Sequence, residues 1–68
     1  MSITLTVNGE SREFEEGTTL ATLVESLELK AERLVALVNE DIVERSRFSE
    51  TPLSDGDTVE LVTFLPGG

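Results

Sequence analysis

Leu20, Leu23, Val24 and Leu27 constrain this chain most, because they stand at i, i+3, i+4 and i+7. That spacing predicts a helix with one apolar stripe, with Ala21, Thr22, Glu25 and Ser26 turned toward water or the margin. Little more than two helical turns are marginal alone, so the stripe must dock. A partner helix would serve, but 68 residues leave few others to fill a core. The stripe is therefore expected to lie across a sheet of the same chain. Thr18 or Thr19, following Glu15-Glu16-Gly17, can accept a hydrogen bond from the first free amides as the N-cap. No Gly or Pro interrupts Glu28 to Arg33, so the helix ends near Glu28 or continues one turn through Ala31 and Leu34.

The sheet is legible on both sides of the helix. Ile3, Leu5 and Val7 alternate with Thr4 and Thr6, the period of a half-buried strand. Asn8-Gly9 offers the two positive-φ positions of a type I′ turn, and Ser11 to Phe14 can return antiparallel as a polar edge strand. Leu34 to Val38 is a continuous apolar run suited to the inside of a sheet. Asn39-Glu40-Asp41 turns the chain into the short strand Ile42-Val43. One parity of that run faces the core, and the other needs cover or a partner.

Glu44 to Pro52 shows no period, with Phe48 and Leu53 as expected anchors. Arg45 and Arg47, flanking Ser46, either grip a phosphate or carboxylate or pair with the many acids nearby. Ser54-Asp55-Gly56-Asp57 reads as a turn whose aspartates cap their own amides. A calcium loop would need a longer, regular series of oxygen ligands than this turn offers. Thr58 to Phe64 is the last strand, with Val59 and Leu61 on one face and Glu60, Val62 and Phe64 on the other. Val62 and Phe64 then form an exposed contact beside the tail, or Phe64 folds over the sheet as cover.

Composition narrows the chemistry. The chain has no Cys, His, Tyr or Trp, so no disulfide or thiolate metal site staples it and no imidazole serves as a base. So small a chain, poor in catalytic side chains and in room for a deep cleft, is expected not to be an enzyme. No catalytic residue or metal site is assigned. Fourteen acids against five bases give a net charge of -9, which opposes nucleic acid and anionic membranes as partners. An acidic body suits a basic protein surface, and such charge equally serves to keep a small domain soluble and monomeric, or suits it to high salt. Met1-Ser2-Ile3-Thr4 has no basic n-region before an apolar stretch, so a cytoplasmic location is expected.

The chain ends in Phe64-Leu65-Pro66-Gly67-Gly68. Two residues without Cβ atoms can thread a narrow channel and present the Gly68 carboxylate to a reactive group. Pro66 stiffens the approach by fixing φ and lowers the entropy lost on threading. A Gly pair at a chain end also arises by chance in roughly one chain in two hundred, or as a linker remnant, so its meaning depends on the body behind it.

That body, read as hairpin, helix, strand, short strand, turn, last strand and free Gly-Gly, resembles the ubiquitin-like β-grasp sulfur carriers of the ThiS and MoaD families. The matching residues are Val7-Asn8-Gly9-Glu10, Ala36-Leu37-Val38-Asn39 with Ile42-Val43, Arg45, Leu53-Ser54-Asp55-Gly56-Asp57 and Gly67-Gly68. The compact length is closer to ThiS. The chain departs from the ThiS pattern at Glu40, where Gly is common, at Glu44, where Pro often precedes Arg45, and at Pro66, which replaces a small residue.

The resemblance implies an α+β β-grasp roll: a mixed sheet of four to five strands, with the first and last parallel at its centre and one main helix across it. It implies a domain over residues 1–64 and a flexible tail over 65–68. It also implies that Gly68 is adenylated by a separate ThiF- or MoeB-like enzyme using ATP and magnesium, then converted to a thiocarboxylate with persulfide sulfur. The carrier would bind no cofactor of its own. Gly67, Pro66, Leu65, Phe64 and Val62 would contact the activating enzyme, and a ThiG-like thiazole synthase would accept the sulfur for thiamin. Alternatives of the same superfamily are a protein modifier acylating lysines and a molybdopterin-type carrier. A non-covalent binding module, with Gly-Gly as a frayed end, is the remaining class.

Overall fold

The structure is a computed structural model that describes residues 1–63, without the side chain of Ala31. Ser2–Val7 (β1) and Glu10–Glu15 (β2) form the expected hairpin, paired antiparallel from Ser2 with Glu15 to Val7 with Glu10. Asn8 and Gly9 link them at φ 50° and 84°, as a two-residue type I′ turn requires. Only Gly takes the second of these without steric cost.

Helix α1 covers Leu20–Ser26. Of the two candidate caps, Thr19 caps it: its Oγ1 accepts from the Thr22 N–H at 3.2 Å. Thr18 is buried and donates its hydroxyl to the Glu15 carbonyl at 2.6 Å. The helix stops at the earlier of its two expected ends. Glu28 takes φ 58°, and the Glu28 and Leu29 N–H groups donate back to the carbonyls of Glu25 and Val24 at 3.0 and 3.2 Å. That is a Schellman closure, with Glu at the position usually given to Gly. Ala31–Arg33 then forms a short 3₁₀ helix before the next strand.

Leu34–Val38 (β3) and Asp41–Val43 (β4) form a second hairpin, joined by Asn39 and Glu40 at φ 51° and 73°. Glu40 therefore holds a left-handed conformation that Gly would adopt without strain. The aperiodic stretch is the 3₁₀ helix Arg45–Glu50, anchored as expected by buried Phe48, with buried Leu53 just beyond. Thr58–Thr63 (β5) completes a five-stranded sheet in the order β2-β1-β5-β3-β4. β1 and β5 are parallel, and the other pairs are antiparallel. The mixed sheet and its strand count match expectation, and polar β2 lies at an edge.

The core lies between α1 and one face of the sheet. Ile3, Leu5, Val7, Leu34, Ala36, Val59 and Leu61 meet Leu20, Leu23, Val24, Phe48 and Leu53 there. The loop before β5 is tied to both neighbours. The Leu20 N–H donates to the Thr51 carbonyl at 2.9 Å, and the Leu53 N–H to the Thr18 carbonyl at 2.9 Å. The Ser54–Asp57 turn docks on β1, with Asp55 Oδ1 accepting from the Thr4 N–H at 2.7 Å. Asp57 accepts from the Ser54 N–H at 2.8 Å and from Asn39 Nδ2 at 3.0 Å. These aspartates thus hold backbone and side-chain donors. Among the described residues no cluster of acids able to bind a metal occurs. Nor is any helix there long and apolar enough to cross a membrane.

Candidate functional site: the outer sheet face

The strand parities that build the core also place apolar residues on the opposite face. Residues directly opposite on paired strands share a face. Val35 stands opposite Val62, while Leu37 stands opposite both Ile42 and Glu60. Val35 and Leu37 are half-buried by their neighbours, whereas Val62 is 51% and Ile42 72% exposed. Four aliphatic residues therefore form a contiguous patch on three adjacent strands, with no element above it among the described residues. Beside it, Leu37, Asn39, Glu40, Thr58 and Glu60 line a hollow of about 430 Å³. An apolar centre rimmed by carboxylates suits a protein partner with an apolar contact and basic groups around it.

Val62, the one described member of the expected contact set, lies in this patch as its parity requires. Phe64, Leu65, Pro66, Gly67 and Gly68 lie outside the described residues, as does the expected boundary between residues 64 and 65. Strand β5 carries the patch and leads directly into those residues in sequence. Val62 of the patch thus lies six residues before Gly68 in sequence.

Val35, Leu37 and Ile42 complete the patch and were not singled out individually from the sequence. The signal was present in the continuous run Leu34 to Val38, whose second parity has no covering element among the described residues. A second concavity, of about 450 Å³, lies on the helix side of the sheet. Ala21, Val24, Leu29 and Phe48 contribute to its walls with Lys30 and Arg45. Among the described residues Arg45 and Arg47 form none of the expected pairs with nearby acids. Among the described residues the one ion pair is Arg12 with Glu10 at 3.9 Å. Both arginines are exposed in the 3₁₀ helix, where water solvates a guanidinium nearly as well as a carboxylate partner would.

A mixed sheet with parallel neighbours β1 and β5, one helix across a single face and, among the described residues, no element over the opposite face defines the class: a β-grasp domain. A solved thiamine biosynthesis protein ThiS from Geobacter metallireducens superposes with a TM-score of 0.83 and 33% identity, covering 97% of this chain and 100% of that one. The model of the ThiS family matches residues 5–68. The chain belongs to the ThiS family of β-grasp sulfur carriers. A sulfur carrier protein ThiS from Thermus thermophilus is 36% identical over 62 residues, 91% of this chain and 95% of that protein. A thiazole synthase from Paramagnetospirillum magneticum is 33% identical over 64 residues, 94% of this chain. This chain spans only 20% of that longer protein.

Proposed function

We propose that this chain carries sulfur as a thiocarboxylate on Gly68 and delivers it to a thiazole synthase in thiamin biosynthesis. The observation that carries the reading is the family match, which runs through Gly67 and Gly68 to the last residue. A carboxylate is a poor acyl donor because its leaving group would be an oxide ion. A separate adenylating enzyme overcomes this when the Gly68 carboxylate attacks the α-phosphorus of ATP and pyrophosphate departs. The terminal sulfur of a persulfide then attacks the acyl carbon and displaces AMP. A thiol cleaves the resulting acyl disulfide and frees the thiocarboxylate.

The body contributes recognition and no catalytic group. The patch of Val35, Leu37, Ile42 and Val62 docks the activating enzyme, and its carboxylate rim favours a basic surface there. A chain without Cys also offers the activated acyl group no internal thiol. The thiazole synthase that includes a stretch similar to this whole domain supports pairing with such an enzyme as acceptor. Intact mass after incubation with ATP, a sulfur donor and a ThiF-like enzyme tests the reading. The expected result is exchange of one oxygen for sulfur, mapped to Gly68 and abolished by deleting Gly67 and Gly68. An unchanged mass, with the enzyme active on a known carrier, overturns it.

A further inference from the structure

We infer that Asn8 is a positioning residue for the chemistry at Gly68, because its side chain holds the half of β5 nearest the tail. The inference rests on the function proposed above. β1 and β5 share two register pairs, Thr6 with Thr58 and Val7 with Val59. At Asn8 the chain turns away into the hairpin, whereas β5 continues to Thr63. The backbone N–H of Asn8 donates to the Val59 carbonyl at 2.9 Å. Two residues further along β5, the Leu61 N–H meets the Asn8 carboxamide, whose Oδ1 accepts it at 2.7 Å. The side chain takes the place of the strand residue that the turn removed.

This bond joins residues 53 apart in sequence and is part-buried, running from buried Leu61 to exposed Asn8. Without this acceptor the Leu61 N–H would lose its protein partner at a part-buried position and bear part of a desolvation cost. On the other edge of β5, β3 pairs with Leu61, Val62 and Thr63 through Ala36, Val35 and Leu34. Asn8 is thus the counterpart of β3 at the last core residue before Val62 and the tail. Held on both edges, Leu61 is a fixed point in the strand that leads in sequence to Gly68, and acyl transfer is sensitive to placement.

Position 8 answers two demands that substitutions separate. The turn needs a residue tolerant of φ 50°, and the clamp needs a short side-chain acceptor. Asn8→Gly keeps the turn and removes the acceptor, while Asn8→Asp keeps both. The test uses the full chain, ATP and a ThiF-like enzyme, with pyrophosphate release read against carrier concentration and amide exchange read residue by residue.

For Asn8→Gly the expected result is a fall in kcat of about fivefold, the worth of one hydrogen bond, with a smaller change in KM. Exchange should quicken at Leu61, and Asn8→Asp should restore both readouts. A purely structural role gives a different split. Because the carrier is the substrate, partial unfolding lowers its effective concentration, which raises the apparent KM and leaves kcat unchanged. That result overturns the inference, as do equal kcat values, unaltered Leu61 exchange, or loss of the folded circular dichroism spectrum in Asn8→Gly. A wild-type chain that is never adenylated overturns the proposed function and this inference with it. A wild-type chain that reacts no faster than Asn8→Gly overturns the inference alone.

Discussion

The two faces of the sheet draw on the same aliphatic side chains, yet one is sealed and the other is open. Ile3, Leu5, Val7, Val59 and Leu61 on the inner face lie beneath α1, Phe48 and Leu53. Val35, Leu37, Ile42 and Val62 on the outer face have no element above them among the described residues. One seven-residue helix covers one face of a five-stranded sheet, and 68 residues leave little chain for a second layer. Apolar area that stays in water contributes little to folding and remains free to be buried on association. The inner face therefore carries the stability of the domain, and the outer face carries its capacity to bind.

The largest expected effect that can break this comparison is on the inner side. Leu5 is fully buried at the centre of the core, so Leu5→Ala should cost about 2–5 kcal/mol in urea unfolding. That is much of the roughly 5–15 kcal/mol available to a typical domain. A loss below about 1 kcal/mol would mean that the core is not concentrated beneath α1. On the outer side, Ile42→Thr keeps a β-branched residue in the strand while removing apolar contact area. Stability should change by less than about 0.5 kcal/mol, whereas calorimetry should show affinity for the adenylating enzyme falling about fivefold. Equal affinity with lowered stability would reverse the roles assigned to the faces.

The smallest effect sharpens the distinction between face and cover. Arg12 lies opposite Leu5 and thus on the inner face, but at the edge strand β2, where its side chain is 47% exposed. Its contact with Glu10, at 3.9 Å, joins two solvated groups. Arg12→Ala should shift the urea midpoint by the equivalent of less than about 0.5 kcal/mol. A shift approaching that of Leu5→Ala would mean that the face itself, and not the cover above it, determines the energetic weight of a position.

The hairpins, the helix and the last strand were legible because each shows a local period or a turn pair. The end of α1 was not, since the closing left-handed residue is Glu28, which gives none of the signal that Gly would have given. The stretch Arg45–Glu50 has no amphipathic period because a 3₁₀ helix of six residues buries Phe48 alone. Asn8 was legible as a turn residue and illegible as a clamp. Its turn role depends on the adjacent Gly9, its clamp role on Leu61, far along the chain. Of the site, Val62 could be placed from strand parity, whereas its grouping with Val35 and Ile42 required the register of three strands.

Sequence by itself determined which residues on each strand share a face, where two hairpins turn, which side of α1 is apolar, and that the chain closes on two glycines. These properties come from backbone geometry over a few residues, where side-chain direction repeats every second residue in a strand and about every 3.6 in a helix. Only the tertiary structure decided that β3 takes the other edge of β5, that the helix ends at Ser26, and that the asparagine of the first turn holds the last strand. Each of these depends on groups brought together from distant parts of the chain. Their acceptors and covering surfaces exist only once the sheet has closed around β5.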